Sequence, residues 1–330
     1  KTPPFRLRIP LRRAYLEERG KNMKKVLLAT TVLAMTATVA AAEVKVSGNA
    51  RMGVVYNGDL VSDKLQFSSR IRAVFTMSGE TDSGLSFGGS FRADNAGAAA
   101  NGSAGSVYIS GAFGKLEMGD VVGAAEAVVG DLPEVGFTDL SGGLILSASD
   151  NDTLFLTGDG SIYASANNPG ALYTYSTGGL TFALGFNDGY NNATGDGTQA
   201  YSIGVKYAVD AYAISLGYEV ADPDLGASAK HLIIGGEASF GDTKVNAFYG
   251  DGSGALAGLK HYGLGVSHKI DALTVKGYVK KTELGGDRVT SYGIGADYAL
   301  GGGATVSGGL IDNNAPGSKV RADLGVKFSF

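Results

Sequence analysis

The chain of 330 residues contains no cysteine and no tryptophan, and only seven prolines. Without cysteine, the fold has neither disulfide bonds nor thiolate metal sites. Beyond residue 42, no apolar run reaches the roughly 20 residues that a membrane-spanning helix needs. These absences exclude a disulfide scaffold, a thiolate metalloprotein and a helical membrane protein.

Histidine is also scarce, since the chain has only His231, His261 and His268. All three lie in segments with the alternation of a strand, and we interpret each as a lumen-facing or interfacial polar residue rather than a metal ligand. The motifs HExxH and paired CxxC are missing. The sequence therefore predicts that the protein is not an enzyme.

The first 42 residues differ in character from the rest. Residues 1–22 show neither strand alternation nor a clear amphipathic helix, and we interpret them as a non-structural extension. Residues 23–42 carry Lys24 and Lys25 before an apolar core and end in a small-x-small pattern. This is typical of a secretory signal peptide. A membrane anchor is the alternative, but the core is short for a spanning helix.

Residues 43–330 are acidic. The first 42 residues hold nine of the 28 basic and two of the 32 acidic residues, which leaves 19 against 30, a net charge of −11. Phosphate binding needs clustered lysine and arginine, so nucleic acid is not an expected partner. Glycine is abundant at 52 residues, more than double its usual share.

From Glu43 onward, segments of about ten residues alternate apolar and polar side chains between glycine, aspartate and asparagine turns. In SRIRAVFTMS at 69–78, Phe75 lies on the apolar side of an extended chain, and Arg70 and Arg72 lie on the other side. Such alternation predicts β-strands, of which we count sixteen. Their approximate ranges are 43–58, 64–79, 84–95, 105–113, 114–121, 170–178, 180–189, 198–208, 212–221, 229–240, 242–251, 258–269, 272–284, 289–300, 304–312 and 318–330.

The connections alternate between tight turns, such as FGK and STGG, and longer polar stretches, such as NDGYNNATGDG. Short turns at one rim and long loops at the other are typical of outer-membrane barrels, and an even number of strands brings both ends to the periplasmic side. Sixteen strands also close a ring too wide for side chains to fill, so the polar faces must line water. On the lipid face, each of Arg70 and Arg72 would cost about 2 to 4 kcal/mol.

Aromatic residues near the ends of the predicted strands favour the same orientation, because interfacial girdles need tyrosine and phenylalanine there. The chain also ends in VKFSF, with Phe330 on the lipid face. The girdle residues are Tyr56, Tyr207, Tyr218, Tyr249, Tyr298 and Phe328.

One connection, residues 121–169, is too long for an ordinary loop and has little strand pattern. It contains no lysine or arginine and several large apolar residues, which favours folding against the barrel wall. Its seven acidic residues are Glu126, Asp131, Glu134, Asp139, Asp150, Asp152 and Asp159. The inward-facing basic residues of the first three strands are Arg51, Arg70, Arg72 and Arg92.

If this long loop lies in the lumen, its acidic residues face the arginines across a narrow aqueous gap, which sieves solutes by size and orients dipolar ones. In the alternative, the arginines pair with neighbouring carboxylates such as Asp94, and the loop is an exposed lid.

Several segments resemble the general diffusion porins of alphaproteobacteria, of the purple photosynthetic bacterium type: EVKVSGNARMGVVYNGDL, FSSRIRAVFTMSGETDSGLSFGGSF, SGAFGKLEMGD, EVGFTDL and RADLGVKFSF. The resemblance covers essentially all of 43–330. It implies an all-β fold, a 16-stranded antiparallel transmembrane β-barrel with its long third loop folded inward, assembled as a homotrimer in outer-membrane lipid. By the same resemblance, the protein is expected to require no cofactor, although members of the family can bind calcium. The residues it implies at the pore constriction are Arg51, Arg70, Arg72, Arg92, Glu126, Asp131, Glu134 and Asp139.

The function expected from these observations is a water-filled channel for passive diffusion of small hydrophilic solutes and ions. A substrate-selective outer-membrane channel is the first alternative and would need an ordered track of aromatic residues and matched charges. An enzyme built on a barrel is the second, and would need a serine or aspartate nucleophile beside a histidine.

Overall fold

The computed structural model describes residues 43–62, 64–94, 105–140, 155–156, 170–187, 198–223, 226–312, 314 and 317–330. The predicted extension and signal peptide lie outside the described residues. Within the described part of the chain, no helix has the length and hydropathy needed to cross a membrane.

Sixteen antiparallel strands form one closed barrel in which each strand pairs with its neighbours in the chain and β16 pairs with β1. The predicted number and order of strands are confirmed. The strands are β1 Glu43–Asn57, β2 Leu65–Glu80, β3 Ser86–Asp94, β4 Gly105–Gly111, β5 Gly114–Gly119, β6 Gly170–Thr177, β7 Leu180–Asn187, β8 Thr198–Val209, β9 Tyr212–Pro223, β10 Ala229–Phe240, β11 Thr243–Gly254, β12 Lys260–Ile270, β13 Leu273–Leu284, β14 Asp287–Gly301, β15 Ala304–Asp312 and β16 Arg321–Ser329.

Side-chain alternation places the apolar residues on the outer face of the barrel. On β9, Leu216 and Tyr218 are exposed, whereas Ser215 and Glu219, which precede and follow them, are buried on the inner face. The predicted girdle tyrosines follow this rule, with exposed fractions between 39% and 50%. They are Tyr56, Tyr207, Tyr218, Tyr249 and Tyr298.

The two rims of the barrel differ as predicted. At the turn-side rim, most strands are joined by tight turns, and Asp210 and Asp271 adopt positive φ angles of 51° and 52° in two of them. Aspartate tolerates this left-handed conformation better than most residues. The longer connections lie at the opposite, loop-side rim.

The buried apolar residues do not form a core between two layers. Many lie between the inner wall and the connection that follows β5, as in the cluster that joins Ala124, Val128 and Phe155 to Ala183 and Ile233 of the wall. Leu256 and Leu259 of the β11–β12 connection are buried as well. The interior of the barrel is therefore partly filled by the connection that follows β5.

Candidate functional site in the barrel lumen

The long loop begins with a short helix, α1 (Ala124–Val129), that lies on the inner wall of β7 to β10. This helix was not predicted from the sequence. Alanine favours helix, and Gly130 ends it with a positive φ of 71°. The wall supplies the missing cap, because Ala124 N donates a hydrogen bond to Ser202 Oγ at 2.9 Å. Ala125 and Val128 are also buried against the strands.

A row of glycines on the inner wall makes this close approach possible. A Cβ at Gly204 would lie 2.4 Å from Ala124 O, and one at Gly217 would lie 2.6 Å from Ala125 Cβ. Glycine within a strand often marks a place where another backbone comes near. We call the set the glycine bed; its members are Gly204, Gly217, Gly235, Gly263, Gly265, Gly309 and Gly325.

The glycine bed guides the loop around the wall from α1 to β16. Leu132 contacts Gly263, Val135 contacts Gly309, and Phe137 contacts Gly325 at the far end. The predicted inward folding of the loop is confirmed for residues 121–140, and an exposed lid is wrong for them.

The end of the described loop segment is fixed to β16 by Asp323. Its carboxylate accepts hydrogen bonds from Phe137 N at 3.2 Å, Thr138 N at 2.8 Å and Thr138 Oγ1 at 2.6 Å. Gly136 passes so close that a Cβ would lie 2.3 Å from Asp323 Oδ1. Arg51 Nη1 also donates to Phe137 O at 3.3 Å. The loop is thus bonded to the two strands that close the barrel.

A second anchor holds residues 155–156 near the loop-side rim. Glu219 Oε2 accepts a hydrogen bond from Leu156 N at 3.0 Å and lies 3.0 Å from His231 Nδ1. His231 Nε2 lies 2.7 Å from His261 Nε2. Gly250 leaves room for this contact, since a Cβ there would lie 1.9 Å from His261 Nε2. The three polar side chains are buried together under the loop.

The three histidines therefore occupy strands, as the sequence indicated. His231 and His261 face the lumen, where the pairing between them was not foreseen. His268 is exposed at the turn-side rim, with Nδ1 2.8 Å from Thr243 Oγ1.

The four predicted arginines lie on the inner wall of β1 to β3 but differ in their partners. Arg72 forms a bidentate pair with Asp94, at 2.7 and 2.8 Å. The alternative of pairing with a neighbouring carboxylate is thus correct for this one arginine. Within the described part of the chain, Arg70 Nη2 donates to the neutral Asn49 Oδ1, at 2.9 Å. Arg51 is its direct cross-strand neighbour, so two positive charges lie side by side.

The acidic residues of the loop that the structure describes are Glu126, Asp131, Glu134 and Asp139, whereas Asp150, Asp152 and Asp159 lie outside the described residues. Burial raises the pKa of Asp131, because it removes water from around the charged carboxylate. The neighbouring carboxylates of Asp139 and Glu134 raise this pKa further, whereas Lys280 lowers it. Asp131 therefore takes up a proton at a higher pH than an isolated aspartate does.

Within the described residues, no group of three or more histidine, cysteine, aspartate or glutamate side chains is arranged to hold a metal ion. Calcium binding stays a prediction from the resemblance.

Comparison with known proteins decides what kind of barrel this is. The family model for Gram-negative porins matches residues 29–315. The chain belongs to this family. It is 46% identical to a porin of Rhodobacter capsulatus over 87% of this chain and all of that protein, and 28% identical to a porin of Fuscovulum blasticum with the same coverage.

Solved structures agree with the assignment. A porin structure refined at 1.8 Å superposes with a TM-score of 0.76 at 43% identity, over 87% of this chain and all of that one. A variant of Rh. blastica porin gives a TM-score of 0.68 at 25% identity, with the same coverage. This porin is thus an outer-membrane channel, and its family is one of channels rather than enzymes.

Several residues that shape the lumen of this porin were not singled out from the sequence. Asp323, Glu219 and Ser202 bind loop backbone from strands far away in the chain, so no local spacing marks them. The glycine bed did leave a signal, because its members fall at inward-facing positions of predicted strands.

Replacing Asp323 by alanine should loosen the loop while leaving the barrel closed. The change removes the acceptor of three hydrogen bonds and leaves two backbone N–H groups without their partner, at a cost of about 1 to 3 kcal/mol each. Single-channel recordings should show larger current fluctuations and a higher mean conductance. Asp312→Ala, which removes a carboxylate from the loop-side rim, is the control; equal current noise in both variants would contradict the anchoring role.

Proposed function

We propose that the long loop and the arginine wall together form the constriction through which small hydrophilic solutes and ions pass by passive diffusion. The basic side consists of Arg51, Arg70, Arg72 and Arg92, and the acidic side of Glu126, Asp131, Glu134 and Asp139. The observation that carries the proposal is the seating of residues 121–140 on the glycine bed inside the lumen.

The first part of the loop, as far as Asp131 beside Asn246 of β11, lies opposite the arginines, whereas Phe137 reaches Arg51. α1 lies on β7 to β10, across the barrel from the arginine-bearing strands β1 to β3. In the described residues, Asp131 and Glu134 form no ion pair, and Arg51 and Arg70 bond to neutral oxygens. Charges that are held apart in this way maintain a transverse field across the water-filled opening.

Conductance and solute-exclusion measurements on the purified protein in planar bilayers test the proposal. We expect the current to rise in proportion to salt concentration, and neutral sugars to permeate according to size without saturation. A flux that saturates with one sugar or one acid would instead favour a substrate-selective channel.

We also propose that the protein is a homotrimer assembled through the outer face around β2 to β5. This face carries Leu65, Phe67 and Val107, whose side chains are 67%, 94% and 68% exposed. The described residues of β2 to β5 place no tyrosine on it, in contrast to β8, β9, β11, β12 and β14. A lipid-facing wall needs interfacial tyrosines, whereas an apolar protein interface does not.

A further inference from the structure

The outer face of the barrel carries a group of basic side chains at the loop-side rim. Among the described strands, the outward-facing lysines and arginines of this rim all lie between β10 and β14. We call the group the basic rim patch; its members are Lys230, Lys260, Lys281 and Arg288. The same stretch of outer face contains two acidic residues, Asp251 and Glu283, so four positive charges face two negative ones.

Glu283 lies at the centre of the basic rim patch but cannot neutralise it. Lys281 Nζ lies 2.8 Å from Glu283 Oε1, and Arg288 Nε lies 3.5 Å from the same oxygen. Lys260 is the direct cross-strand neighbour of Glu283 on the other side. The single negative charge of Glu283 is thus shared among three positively charged side chains.

Two members of the patch keep donors free for a ligand. The Arg288 side chain is 69% exposed, and its one ion-pair contact uses Nε, which leaves the outer edge of the guanidinium open. Lys260 is exposed as well. The Arg288 guanidinium and the Lys260 ammonium lie on either side of Glu283, and both kinds of group bind phosphate oxygens well.

Carboxylates on the flanking strands already have partners. Asp222 of β9 accepts a hydrogen bond from Ser228 Oγ at 2.6 Å. Asp312 of β15 accepts hydrogen bonds from Asn314 N at 2.7 Å and from Tyr292 OH at 3.2 Å. They border the patch on either side.

The height of the patch on the barrel indicates what kind of molecule reaches it. Lys281 is paired with Tyr262, and its Nζ lies 5.6 Å from the centre of that ring. Tyr262 in turn lies opposite Tyr249 of β11. Tyrosines on a barrel mark the boundary between acyl chains and headgroups. The patch therefore begins where the headgroups begin, in the leaflet next to the long loops.

We propose that the basic rim patch binds the phosphate group of a phosphorylated lipid headgroup in the outer leaflet. The exposed apolar side chains directly below it, such as Leu264 and Ile294, receive the acyl chains of the same molecule. Phosphate oxygens bind Arg288 and Lys260, while Glu283 holds Lys281 beside them. An amphiphile with an anionic head satisfies both surfaces at once, which a soluble anion does not.

The test compares three full-length proteins in neutral detergent by titration with fluorescently labelled lipid A. Removing three charges with Lys260→Gln, Lys281→Gln and Arg288→Gln should weaken binding about tenfold or more, since each basic residue near an anionic surface contributes to the attraction. A matched variant, Lys45→Gln with Lys244→Gln and Lys269→Gln, removes three charges at the turn-side rim and should bind like the parent protein. Added salt should weaken binding of the parent protein.

Three outcomes would overturn the proposal: equal binding by the patch variant and the parent protein, an equal loss in the matched variant, or displacement of lipid A by millimolar inorganic phosphate, which would indicate a site for a free anion. If the triple variant does not fold, the single variant Arg288→Gln tests the proposal instead. The Arg288 side chain is exposed and can be replaced without loss of packing. We expect the substitution to weaken binding about threefold.

Discussion

Deleting residues 126–160 should raise the single-channel conductance about twofold or more. Residues 121–140 lie on the inner wall from β7 to β16, and their removal widens the narrowest part of the water-filled path. The barrel itself should still close, because each strand bonds to its two neighbours without using the loop. Planar-bilayer recording in molar salt measures the conductance, and the mobility of unheated protein on a denaturing gel reports whether the barrel has folded.

A point substitution gives an independent test of the same loop position. Gly217→Leu places a side chain where Ala125 now lies, so we expect α1 to move from the wall and the conductance to change. Gly236→Leu on the neighbouring strand is the control, because a Cβ there has no atom within 4 Å. If the deletion leaves conductance unchanged, the loop does not limit the pore.

The barrel was predictable because the alternation of apolar and polar side chains recurs in every strand, so the prediction does not depend on any single segment. The ends of the strands were less predictable from the sequence. The sequence predicted 242–251 for β11, whereas hydrogen bonding continues to Gly254. Ladder bonds extend beyond the apolar stripe to Gly252 and Ser253, which carry no alternation signal.

The path of the long loop could not be read from the sequence for a different reason. Its anchors join residues far apart in the chain: Leu156 to Glu219, and Thr138 to Asp323. These contacts require the register of all sixteen strands, which alternation alone does not fix. The acidity and apolar content of the loop still indicated correctly that it packs against the wall.

The pairing of Arg72 shows the same limit. Arg70 and Arg72 are equivalent by alternation, yet only Arg72 lies directly opposite a carboxylate, that of Asp94 on β3. Arg70 instead lies opposite Arg51 on β1. Which arginine pairs directly with a carboxylate is therefore a property of register.

Neutralising Arg51 and Arg70 together, as Arg51→Gln with Arg70→Gln, should shift the ion selectivity strongly toward cations, by roughly threefold in the permeability ratio. Within the described residues, the two guanidinium groups bond to neutral oxygens of Phe137 and Asn49 and form no ion pair, so their positive charges act on the water-filled gap. Reversal potentials in a potassium chloride gradient measure the ratio. The conductance should also rise, because glutamine is shorter than arginine.

The matched control is Arg72→Gln with Asp94→Asn, which removes one positive and one negative charge that already offset each other at 2.7 Å. Two substitutions at the same wall, with no change in net charge, should leave the reversal potential close to that of the parent protein. Uncompensated charge, rather than the number of arginines, would then determine selectivity. Equal shifts in the two double variants would contradict this, and an unchanged reversal potential in the Arg51 and Arg70 variant would remove both residues from the conducting path.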